Sequence, residues 1–200
     1  VKQTVTDAQR HMVLSVLMTA MAILRDDQPF NPKHTVFGRN FAAEPLFGNA
    51  VGTEYSFENP AFPSTQITLV VAGDPTDRAA ERMRDTQVPR AFVIRFDPMI
   101  TGIMRSTLED LFPLDIGYWV DGKGNRQFGN DMGAVPPQVR VHHYRYRASA
   151  QPASRFPVDV QLVFGDPKPQ AAGDDEPKTP VLMDVLLTRD YFKPTPDRRR

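Results

Sequence analysis

Apolar residues near the start of the chain repeat with the period of a helix. Val13, Val16, Leu17, Ala20, Met21 and Leu24 fall on one stripe of a 3.6-residue turn. Ahead of them, Thr6 and Gln9 have the Thr-x-x-Gln spacing of a capping box, and Asp26-Asp27-Gln28-Pro29 is a stop signal. The spacing predicts a helix over 7–25. Leu14, Met18 and Ile23 lie off the stripe, so the helix is expected to be covered on more than one side. Either it is a central core helix, or it packs on its own sheet and on a neighbouring subunit.

The pattern then breaks. Residues 29–63 carry Pro29, Pro32, Pro45, Pro60 and Pro63 and no sustained period, which predicts a long irregular arm with a short strand at 53–58. Strands follow at 64–72 and 90–96, where β-branched residues are dense. Asp74-Pro75 and Asp97-Pro98 each place an N-cap residue before a proline, predicting a polar helix over 75–86 and a second amphipathic helix from 98. The stripe of that second helix is Ile100, Ile103, Met104, Thr107, Leu108 and Leu111, and Pro113 ends it. The Asp121–Asn125 turn between apolar runs predicts a hairpin over 116–128. Further strands are expected at 139–147, 157–164 and 180–191, with a polar mobile loop at 165–180 and a basic tail at 194–200. The fold class is α+β: one domain over 1–200, a mostly antiparallel sheet packed by an N-terminal helix and a second amphipathic helix, with the irregular arm.

Composition narrows the function classes. A length of 200 residues suits one domain. Twenty-four basic and 24 acidic residues cancel, which argues against coating nucleic acid or anionic membrane by global charge. With no cysteine there is no disulfide framework, thiolate zinc site or cysteine nucleophile. His142 and His143 are adjacent in a strand and point to opposite faces, and His11 and His34 have no metal-ligand spacing, so no metal is expected. No Walker A motif and no Gly-x-Ser-x-Gly elbow is present. No catalytic residue and no cofactor is expected, and the chain is expected not to be an enzyme.

What stands out is aromatic surface in the arm. Phe30, Phe37, Phe41, Phe47, Tyr55 and Phe57 need burial, so the arm either wraps the core or reaches a neighbour, and the second makes these residues interface candidates. Strand 139–147 adds Arg140, Tyr144 and Tyr146, and the tail adds Arg198, Arg199 and Arg200. Arginine interleaved with aromatics can bind single-stranded nucleic acid. The simpler expectation is an edge strand whose arginines block aggregation or pair with acids on a neighbouring strand.

The layout resembles that of phage neck and tail-terminator proteins. The matching pieces are the helix at 7–25, Phe62-Pro63 leading into 64–72, strand 90–96, helix 98–111 and strand 181–191. The arm and the 116–128 hairpin do not belong to that pattern. The resemblance implies a non-enzymatic, ring-forming connector or terminator in a virion or the host cytoplasm, contacting copies of itself and neighbouring assembly proteins. Deleting residues 29–63 is then expected to abolish assembly.

Two alternatives stay open. Residues 12–24 also have the apolar core and Ala20-Met21-Ala22 site of a secretory signal, though at this length they are too short to span a bilayer. Cleavage after 22 would make the chain a secreted or periplasmic binding or accessory domain. The other alternative is a single-stranded nucleic-acid-binding module built on strand 139–147.

Overall fold

The computed structural model describes residues 2–48, 50–76, 86–134, 141–165 and 179–191. Helix α1 (Asp7–Arg25) begins where the capping box sets it. Thr6 Oγ1 accepts the Gln9 N–H at 3.2 Å, and Gln9 Oε1 accepts the Thr6 N–H at 3.0 Å. Two otherwise orphaned amides are thereby satisfied. The whole predicted stripe is buried, and Ile23 with it, while Met18 faces solvent.

The other end of α1 closes differently. Arg189 is fully buried, and its Nε and Nη2 donate to the carbonyls of Leu24 and Ile23 at 2.8 and 2.7 Å. A guanidinium from across the chain thus caps carbonyls that a helix end leaves unpaired, and its charge opposes the negative end of the helix dipole. Asp27 supplies the counter-ion at 3.1 Å.

The helix lies on a ten-stranded sheet. Along the chain its strands are β1 (Lys2–Thr4), β2 (Arg39–Pro45), β3 (Gly52–Asn59), β4 (Phe62–Gly73) and β5 (Gln87–Thr101). After helix α2 (Arg105–Leu111) come β6 (Leu114–Asp115), the hairpin β7 (Tyr118–Val120) and β8 (Arg126–Phe128), then β9 (Asp131–Ala134). The last three are β10 (Val141–Ala148), β11 (Val158–Gly165) and β12 (Val181–Arg189). The spatial order is β2-β3-β4-β5-β12-β11-β10-β6; β9 also pairs β10, and β1 pairs β5. Every pairing is antiparallel except β1 on β5, while β7 and β8 form a separate ribbon. The fold is therefore α+β, as the pattern predicts.

Period-two alternation sorts the sheet into two faces. Ile67 and Leu69 of β4, Phe92 and Ile94 of β5, Val185 and Leu187 of β12, and Val160 and Leu162 of β11 are buried and stand in matching register. Together with α1 they make the core. Each such side chain contributes about 1.5–3 kcal/mol relative to exposure. The opposite face carries Arg95 beside Asp184 at 3.3 Å and, further along, Arg145 beside Asp159 at 2.9 Å.

Two expectations are corrected. The arm at 29–63 is not irregular over most of its length, because β2 and β3 pair with each other and β3 pairs with β4. Its period is masked by shifts in register at Asn40/Ala42 and Phe57/Asn59. The second helix starts at Arg105, not at 98. Residues 99–101 are held as strand by the parallel pairing Lys2↔Met99, Gln3↔Ile100 and Thr4↔Thr101, with Leu182 opposite Ile100 on the other side. Long-range ladders outweigh the local Asp-Pro signal. The helix expected at 75–86 lies outside the described residues over 77–85, as do the loop over 166–178 and the tail over 192–200. Among the described residues, no helix is long and apolar enough to cross a membrane.

Candidate functional site

Sheet edge β2 is where aromatic side chains divide between core and solvent. Phe37 and Phe57 are buried, with ring centroids 5.3 Å apart, and Phe37 meets Phe92 at 5.1 Å. Phe30 and Tyr55 close the cluster at 5.4 Å from each other. Phe37 and Phe57 lie in the chain's own core and Phe30 and Tyr55 pack half-buried against it, so here the arm wraps the core, and the expectation that these four face a partner is corrected. Phe41 is 59% exposed, and Phe47, in the turn after β2, is fully exposed. Phe41 lines an open groove of about 500 Å³ with Ser56, Pro63, Ser64 and Gln66. Arg39 pairs with Glu58 at its rim.

The far half of the sheet is built from charge. Arg145 Nε donates to both oxygens of Asp159, at 2.9 and 3.1 Å, across the β10–β11 ladder. Its guanidinium carbon also sits 4.2 Å from the Trp119 ring centroid, so the β7–β8 ribbon covers the pair. Asn130 ties that ribbon down, donating to the carbonyls of Tyr118 and Arg145 at 2.9 Å each. Burial pushes the Asp159 carboxyl above its ordinary value, and the Arg145 bond pulls the other way.

One register step along, Arg147 lies opposite both Asp115 and Asp159. It is only 3% exposed. Its Nη2 donates to Asp190 at 2.8 Å, while Nε and Nη1 have no hydrogen-bond partner among the described residues. Asp115 accepts hydroxyl protons from Tyr118 at 2.5 Å and Ser149 at 2.7 Å. Burial, then the bond to Asp115, raises the Tyr118 phenol above its ordinary value. A pocket of about 390 Å³ opens beside Arg147, between β7 and the 148–157 connection.

Tyr146 and Tyr144 take the core side of β10. Tyr146 is buried and donates to Glu109 of α2 at 2.5 Å, and Tyr144 lies under Arg105 at 4.5 Å. The expectation that Tyr146 offers an interface or stacking surface is corrected, because α2 already covers it. Arg140, Arg198, Arg199 and Arg200 lie outside the described residues. Among the described residues, no group of three or more histidine and acidic side chains could hold a metal ion. The Arg145–Asp159 pair answers the expectation of arginines paired with acids on a neighbouring strand. The burial of Arg189 and Arg147 is not visible in the sequence, where Arg147 reads only as one of the basic residues of strand 139–147.

No protein family, curated protein or solved structure matches the chain.

Proposed function

We propose that this chain is a non-enzymatic structural subunit of a large protein assembly, joining copies of itself and neighbouring assembly proteins through its β2 edge. The observation that carries this reading is the pair of solvent-facing aromatics, Phe41 and Phe47, on an edge strand and its turn. Burying each against a partner contributes about 1.5–3 kcal/mol. The edge itself is guarded by a bulge at Asn40/Ala42, the Arg39–Glu58 pair and Pro45. Association therefore proceeds by side-chain burial rather than by adding a strand. A patch that meets a different patch on the next copy repeats head to tail and closes into a ring.

Virion neck and tail-terminator proteins are the class this fits. Supporting it are the N-terminal helix, the strand opened by Phe62-Pro63, the long β5, the short α2 and the last strand, in that order. A periplasmic role with cleavage after residue 22 is less well supported. Such cleavage would remove Val13, Val16, Leu17, Ala20 and Met21 from the core.

Deleting residues 29–63 is no longer the right test, since it would also remove Phe37 and Phe57 from the core. The test is native mass by light scattering for the wild type and for Phe41→Ser/Phe47→Ser. The wild type is expected as one discrete oligomer, and the variant as a smaller species with an unchanged melting temperature. A wild-type monomer of 22.5 kDa at every concentration overturns self-assembly.

A further inference from the structure

We propose that the pocket beside Arg147 binds a small organic monocarboxylate with an apolar body. Its volume, about 390 Å³, falls in the range of small-ligand sites. Ala148, Ala150, Phe156 and Pro157 supply apolar wall, and Arg147 and Arg155 supply positive charge. Arg25 also lines it but is already engaged, with Nε and Nη2 on the two oxygens of Asp26 at 2.7 and 3.0 Å.

Arg147 is the anchor. A buried guanidinium with two unpaired nitrogens is an unmet demand for an acceptor. The planar fork of a guanidinium matches a carboxylate through two parallel N–H···O bonds. Both nitrogens are covered while the chain is alone. To reach them, the carboxylate needs the guanidinium to turn toward the pocket while Nη2 keeps its pair with Asp190. Ser154 assists: its Oγ accepts the Gln151 N–H at 2.8 Å, which leaves its own proton to donate.

Charge sets the valence of the ligand. Arg147 faces Asp190, Asp115 and Asp159, the last already paired with Arg145, and Arg155 stands at the open side. Asp115, with each oxygen holding a hydroxyl, still repels a second negative charge close by. One negative charge suits the site, and the doubly charged form of phosphate does not. The wall of Phe156 and Pro157 favours a ring or chain over bare acetate.

The experiment uses the full chain and 4-fluorobenzoate, followed by fluorine NMR. Saturable broadening is expected, with displacement by benzoate stronger than by acetate and stronger than by inorganic phosphate. Arg155→Ala should weaken binding by roughly threefold to tenfold, as befits a rim charge bonded to a carboxylate. Ala150→Trp fills the mouth from an exposed position and should abolish the signal. Arg147→Lys should lose most of it. Because that variant alters a buried site, the two rim variants decide the matter if it fails to fold. Lack of saturable broadening, or broadening that survives Ala150→Trp, overturns the site. Displacement by phosphate equal to that by benzoate overturns the monocarboxylate assignment.

Discussion

The two ends of the sheet solve burial in opposite ways. At the β2–β3 end, rings pack on rings: Phe30, Phe37, Tyr55 and Phe57 need only shape and area. At the β10–β12 end, Arg145, Arg147 and Arg189 are taken largely or wholly out of water, and each needs a specific acceptor. Apolar packing tolerates exchange of one hydrophobe for another of like volume. A buried ion does not, because removing one partner strands the other. The first end is therefore expected to be the more forgiving of substitution, and the second the more exacting about register.

The sharpest way to break the comparison is at Arg189. Replacing it with alanine leaves the Ile23 and Leu24 carbonyls without their donor and Asp27 without its cation. The orphaned carbonyls and the cavity left by the buried side chain are expected to cost about 3–5 kcal/mol together, read from urea denaturation. Phe37→Ala opens a cavity and should cost about 3–5 kcal/mol, but Phe37→Leu should recover much of it. If Arg189→Met recovers as much as Phe37→Leu does, the contrast between the two ends is wrong.

A middle-sized effect comes from alkaline titration. Burial, then the bond to Glu109, holds the Tyr146 phenol well above its ordinary value of 10.0. Tyr118 and Tyr191 are raised too, burial being the main cause in each. A folded pKa above the unfolded one gives stability that is complete below the unfolded value and lost as pH rises through the folded value. Phenolate absorbance should therefore show these three titrating later than a free phenol, Tyr146 latest of them. A smooth titration of all the tyrosines near the ordinary value, with the fold intact, would contradict this burial.

Smaller still is the response at Asp121, on the ribbon that covers the charged end. The amide of Asn125 leads a set of donors that lower its pKa from 3.8 to about 2. Its contribution is present above the unfolded value and lost as pH falls through about 2. Asp121→Asn should lower the melting temperature slightly at neutral pH, and the gap should close on acidification. Phe47→Ala should change stability least, within about ±0.5 kcal/mol, while altering native mass.

Legibility follows the same divide. The α1 cap was readable because Thr6 and Gln9 interact within one turn. The core strands were readable because a half-buried strand must alternate. Strand β2 was hidden, since its bulge puts Phe41 and Ala42 out of step and Pro45 mimics loop. The start of α2 was misplaced because Asp97-Pro98 is a sound local signal that pairing with β1 overrides. Arg147 and Arg189 were unreadable as buried residues. Their acceptors lie on other elements, and nothing local separates a solvated arginine from one that reaches a distant helix end.

The position of β12 has a consequence for synthesis on the ribosome. It is made after every other described strand, yet it inserts between β5 and β11. Until residues 181–189 emerge, β2–β5 and β10–β11 can form only as two separate sheets, each with an open inner edge. Such edges invite pairing with other nascent chains. The arrival of β12 joins the halves and delivers Arg189 to the end of α1 in one step. Helix α1 is thus locked by the described strand made last, and a ribosome that stalls before that strand would release a chain with two exposed sheet edges.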